Sequence, residues 1–143
     1  MSTGRSKEVS NWVQKARDFY KSAGKEIAFA EYTNPRGQFT QKQLYVFALD
    51  LNGRMLAHGV NEKFVGKDFI NLKDSDGKPF IREIVDTANS KGSGWVEYRW
   101  FNPASKNWTP KIAYFEKVDD LIVCSAVYRE EFELQGSSFQ NQV

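Results

Sequence analysis

The sequence predicts an α+β domain: one antiparallel sheet of about five strands, a long N-terminal helix on one face and a connector helix on the other. Three observations lead there. Apolar residues recur at spacings of three and four over residues 6–23 and again over 79–92, the period of a helix with one buried face. The period changes to two over 43–50, 54–59, 94–101, 111–117 and 121–129, where β-branched and aromatic residues gather. The helical stretches are segregated from the strand clusters, and short turns join the paired strands, so the sheet is antiparallel.

Each element carries its own signals. Val9, Val13, Ala16 and Tyr20 form the stripe of the first helix, with Ser6 as a cap, and Gly24 ends or kinks it before "KEIAFAEYT". "NPRGQF" (34–39) reads as a loop. "QLYVFALD" and "RMLAHG" flank the turn "DLNG" and predict a hairpin. Residues 60–78 form a long connector with turns at Gly66 and at Asp76-Gly77. Pro79 suits the first turn of the next helix, Ile81, Ile84, Val85 and Ala88 its apolar stripe, and Gly92 its stop. The last three strands form a meander through turns at 102–110 and 118–120, with Trp108 in the first turn as a clamp over Pro103 or Pro110. The domain spans residues 6–130, and 131–143 is a polar C-terminal tail.

The bulk composition excludes several classes. The chain has 143 residues, 41% apolar and 15% aromatic, enough for one domain with a real core. A net charge of +2 with mixed signs argues against a nucleic-acid binder, as does the lack of an Arg/Lys-Gly-aromatic strand motif. The single cysteine, Cys124, rules out an internal disulfide and reads as a small buried apolar residue. "DSDGK" (74–78) resembles a calcium-loop fragment, but position twelve from Asp74 is Val85 instead of a glutamate, so it reads as a turn. No cofactor or metal is expected. No apolar run approaches the roughly 20 residues of a membrane span, and "MSTGRSKEVS" shows no export segment.

Several motifs in order carry a family resemblance: "LYVFALDLNGRMLAHG", "VGKDFINLKDSDGKPF", "GSGWVEYRWFNP", "PKIAY" and "VYRE". Together they resemble single Cache domains, PAS-like sensory modules of bacterial chemoreceptors and histidine kinases, over roughly residues 8–130. The resemblance implies a PAS-like sheet, a small-ligand pocket, and often a small organic acid as ligand. It implies an extracytoplasmic, periplasmic position as part of a longer or processed, membrane-anchored protein. If these residues are the whole natural chain, the expectation becomes cytoplasmic. The resemblance leaves room for a homodimer through the N-terminal helix. Similar sequences commonly end in Gly-Val-Tyr where this chain has Ala126-Val127-Tyr128, so a methyl group at 126 would trim a pocket that the last strand borders.

"YRWFNPASKNWTPKIAY" (98–114) packs five rings around two prolines, with Lys111 directly after the second. Strand alternation puts Tyr98 and Trp100 on one face, and Trp95, Glu97 and Arg99 on the other. A carboxylate pocket needs a fixed positive charge, one or two donors and apolar walls that exclude water. Lys111 supplies the charge. Tyr45, Tyr98 and Tyr114 supply hydroxyls, Phe47 and Trp100 walls, and His58 a further donor beside Gly59, where backbone can approach a ligand. Ala126 and Tyr128 complete the expected set. The expected function is a non-enzymatic sensory domain for signal transduction or chemotaxis, in which ligand-driven closure of the pocket shifts the N-terminal helix. The alternative is a small cone-type α+β enzyme that uses His58 with Asp50 or Asp68 as an acid–base pair.

Overall fold

The computed structural model describes residues 4–41 and 44–129; the expected tail, 131–143, lies outside them. The element order is α1 (Gly4–Ala23), α2 (Lys25–Thr33), β1 (Thr40–Gln41), β2 (Leu44–Asp50), β3 (Met55–His58), a 3-10 turn (Glu62–Phe64), α3 (Phe80–Lys91), β4 (Ser93–Asn102), β5 (Asn107–Val118) and β6 (Leu121–Tyr128). Every strand pairs antiparallel, in the order β1-β2-β6-β5-β4, and β3 also pairs with β2. The result is the expected PAS-like sheet.

The two faces are covered by different elements. Val9, Val13, Ala16 and Tyr20 of α1 are buried and pack on one face, against residues such as Leu44, Val46, Val123 and Val127. Complete burial of one such aliphatic side chain contributes roughly 1.5–3 kcal/mol. Polar contacts tie the helix to the far end of the sheet: Arg17 bonds Glu116 at 2.6 Å, and Tyr20 donates to Asp119 at 2.6 Å. On the other face, Ile81, Ile84, Val85 and Ala88 of α3 join Val96, Phe115, Ile122 and Cys124 in a second core. The β6 run "LIVCSAVY" is apolar but for Ser125, whose hydroxyl donates to the Tyr45 carbonyl at 2.7 Å, because this central strand is buried on both faces.

Several details depart from the sequence reading. Ser6 lies inside α1, which begins at Gly4. Gly24, at φ 87°, breaks the helix outright, so α2 is a separate element. The loop predicted at 34–39 leads into a two-residue strand, β1, that pairs with Leu44 and Tyr45. The turn predicted at 102–110 is shorter, because Trp108, Thr109 and Pro110 already belong to β5. Pro110 is tolerated there because β6 runs alongside β5 only from Lys111 onward, where it pairs with Tyr128. Trp108 lies in β5 and not in the turn, with its ring 5.8 Å from Phe101 and 6.1 Å from Trp100.

Candidate functional site

A cavity of about 300 Å³ lies between the sheet and its cover on the α3 side. From the sheet come Tyr45 and Phe47 of β2, Tyr98 and Trp100 of β4, and Lys111 of β5. His58 stands at the end of β3. Val60, Asn61, Phe64, Phe69 and Leu72 of the connector form the cover, and Phe80 and Ile81 of α3 close it. The walls are packed ring on ring. Phe80 stacks on Tyr98 at 4.0 Å and 6°, and Trp100 meets Phe80 edge-on at 5.6 Å.

Lys111 is 3% exposed. Register places it between Tyr98 of β4 and Tyr128 of β6. Its ammonium donates to the Tyr45 hydroxyl at 3.0 Å and lies 5.1 Å from the Tyr45 ring and 4.9 Å from the Tyr128 ring. Among the described residues no carboxylate pairs with it. Burial pulls its pKa down, but the phenol oxygens of Tyr45, Tyr98 and Tyr128 and the hydrogen bond to Tyr45 outweigh that, so the net direction is upward and the amine stays charged. The rings and the hydroxyl solvate this charge in place of water, but none of them is a carboxylate counter-ion. Because the Tyr45 oxygen accepts from Lys111, its own O–H remains a donor.

His58 is a neutral donor. Its Nδ1 accepts the backbone N–H groups of Val60 at 3.3 Å and Asn61 at 3.0 Å, which places the ring proton on Nε2. Burial first, and then the charge on Lys111, push its pKa from 6.5 down to about 4.

Six expected site residues line this cavity: Tyr45, Phe47, His58, Tyr98, Trp100 and Lys111. Tyr128 stands just behind it, with its ring against the Lys111 ammonium and its hydroxyl donating to the Phe101 carbonyl at 2.5 Å. Ala126 is on the same face but packs in the core, 1% exposed, and does not border the cavity. Tyr114 is on the opposite face. It bonds Glu116 at 2.5 Å and packs with the α1 cluster. Tyr114 is three residues from Lys111, an odd offset that reverses the face of a strand residue. Gly59 serves a different approach from the one expected: a Cβ there would lie 2.6 Å from Thr40 Oγ1 and 2.9 Å from Tyr45 Cβ, so the backbone closes on β1 and β2 instead of on a ligand.

Sequence reasoning missed the cover. Phe64, Phe69 and Leu72 carry no period, and their one signal is a run of large apolar residues inside a connector that would otherwise be polar, whereas Phe80, four residues before Ile84, is legible from the helical period. The acid–base pair of the enzyme reading is not assembled. Asp50 accepts the backbone N–H groups of Asn52 and Arg54, and Asp68 that of Ile70, while His58 Nδ1 takes backbone donors. Among the described residues no cluster could hold a metal ion. Asp74 instead accepts the N–H groups of Asp76, Lys78 and Arg99 and fixes its turn to the edge of β4.

The profile of the family described as Single Cache domain 2 matches residues 8–142. The chain belongs to the single Cache domain family. The sensor histidine kinase MctS of Rhizobium johnstonii is 26% identical over 99 residues, which are 68% of this chain and 21% of the kinase. The chain thus spans about a fifth of that relative's length. A methyl-accepting chemotaxis protein from Vibrio parahaemolyticus superposes with a TM-score of 0.75 at 23% identity, covering 90% of each chain. A Cache chemosensory domain solved for its recognition of a carboxylic acid superposes with a TM-score of 0.71 at 28% identity, covering 87% of this chain and 92% of that one. Cache domains bind small-molecule ligands within membrane receptors and histidine kinases, so this Cache domain is a ligand-binding sensory domain. No helix among its described residues is long and apolar enough to cross a membrane.

Proposed function

We propose that this Cache domain senses a small organic acid and catalyses no reaction. One observation carries the reading: a buried ammonium, Lys111, faces a 300 Å³ cavity and has no carboxylate partner among the described residues. A ligand carboxylate supplies the missing counter-charge. The Tyr45 hydroxyl and His58 Nε2–H are placed to donate to it, and the Phe47, Trp100 and Phe80 rings keep water out. The Cache neighbour solved with carboxylic acid recognition supports the same ligand class. The cavity volume favours an acid of few heavy atoms.

Strand β5 carries the signal. It holds Lys111 on its cavity face and Glu116, which grips Arg17 of α1, on its other face. Ligand shifts α1 only to the extent that it binds one arrangement of helix and sheet better than the other. In the intact protein the domain stands outside the cytoplasm, on a membrane-anchored receptor or kinase. A thermal-shift and calorimetric screen of small mono- and dicarboxylates, amines and amino acids tests the reading. Carboxylates should raise Tm and be recovered unchanged. A screen in which only amines bind, or none of the compounds does, rejects it.

A further inference from the structure

His58 does more than border the cavity: its ring is the point from which the cover hangs. Nδ1 accepts the N–H groups of Val60 and Asn61 at 3.3 and 3.0 Å. Asn61 Oδ1 then accepts the N–H of Lys63 at 3.1 Å and starts the turn Glu62–Phe64. The chain comes back to its anchor at once, because the Phe64 ring meets the imidazole edge-on at 5.0 Å and 85°. From below, Phe47 stacks on the imidazole at 5.9 Å and 26°, and Tyr45 lies 5.0 Å away. The imidazole cannot turn over without releasing both amides.

We propose that His58 couples ligand to cover: Nδ1 holds residues 60–64 over the cavity, Nε2–H donates to the bound carboxylate, and occupancy therefore tightens the cover. A carboxylate drawing on Nε2–H makes Nδ1 a better acceptor, since hydrogen bonds in series polarise one another. Opening of the cover frees the ring, and the ligand then loses a donor. The ligand half rests on the carboxylate-sensor reading; the anchoring half rests on the protein's own contacts.

Two substitutions separate the halves. His58→Asn keeps an acceptor oxygen at the δ position and lacks a donor at ε. His58→Gln keeps a donor nitrogen at ε and lacks the δ acceptor. The measurement is amide hydrogen exchange at residues 60 and 61, with propionate as the probe acid. In the unaltered protein, propionate at 100 times its Kd should slow both amides by about 100-fold, if only the closed form binds. Without ligand, His58→Asn should keep the protection, while His58→Gln loses about tenfold or more, the usual consequence of removing a hydrogen-bond acceptor. With ligand, His58→Asn should lose more affinity than His58→Gln. Equal unliganded exchange in His58→Gln and the unaltered protein overturns the anchor. Saturation that leaves both amides unchanged overturns the coupling, and the unaltered protein alone decides that if a variant fails to fold. If no small acid binds, the sensor reading and the coupling fall together, and the unliganded variants still decide the anchor.

Discussion

Lys111 Nζ reaches the Tyr45 hydroxyl over 3.0 Å, although β6 separates their strands, β5 and β2, in the sheet. The two side chains meet above β6. Ala126 follows Ser125, the residue paired with Val46, and so lies beneath that crossing. A small residue there leaves room for the contact. The positive charge of the site is thus set by three strands together.

Lys111→Met should weaken carboxylate binding strongly and leave the fold intact. The thioether fills similar space without a charge, and replacing an unpaired buried ion with an apolar group is often neutral or stabilising. A charge-assisted hydrogen bond is worth about 1.5–3 kcal/mol, or roughly 10–150-fold in Kd. Calorimetry reads the affinity and circular dichroism the melt. Unchanged affinity would remove Lys111 as the counter-ion.

Ala126 is expected to act on the Lys111–Tyr45 contact rather than on ligand size. Ala126→Gly should leave the ligand profile unchanged and cost about 0.5–1 kcal/mol, the usual penalty of glycine in a strand. Ala126→Leu should push the two side chains apart and weaken binding. A glycine variant that accepts bulkier acids in the same thermal-shift screen would return residue 126 to the cavity wall.

Stability should fall with acid through His58. Its folded pKa is depressed to about 4 from 6.5, so the unfolded chain takes up a proton that the folded one refuses. The contribution is complete above pH 6.5 and is lost as pH falls toward 4. At about 1.4 kcal/mol per pKa unit it is on the order of 3 kcal/mol. The reading is the difference between the unaltered protein and His58→Asn in urea melts from pH 7 to 4.5. Parallel profiles for the two proteins contradict it.

Gly59→Ala should destabilise the protein by about 1–3 kcal/mol, the usual range for overpacking. The added methyl would meet Thr40 Oγ1 and Tyr45 Cβ, both under 3.0 Å away. Because Tyr45 must shift, carboxylate affinity should drop together with Tm. A variant with full affinity and an unchanged melt would show that β1 gives way freely.

The sequence by itself determined the elements and the faces of most strands. Alternation put Tyr98 with Trp100, and Tyr45 with Phe47, and period 3.6 gave the buried stripes of α1 and α3. These are local consequences of backbone geometry. Parity could also have turned Tyr114 away from Lys111. Only the tertiary structure decided which distant side chains share the cavity. Phe64, Phe69 and Leu72 reach it through a connector with no period to read, and His58 gained its tautomer from two backbone amides beyond its strand. The reach of Lys111 to Tyr45 depends on the strand order β2-β6-β5. Spacing along the chain fixes which face a side chain uses, whereas the partner on that face follows from how the strands are ordered and what is packed over them.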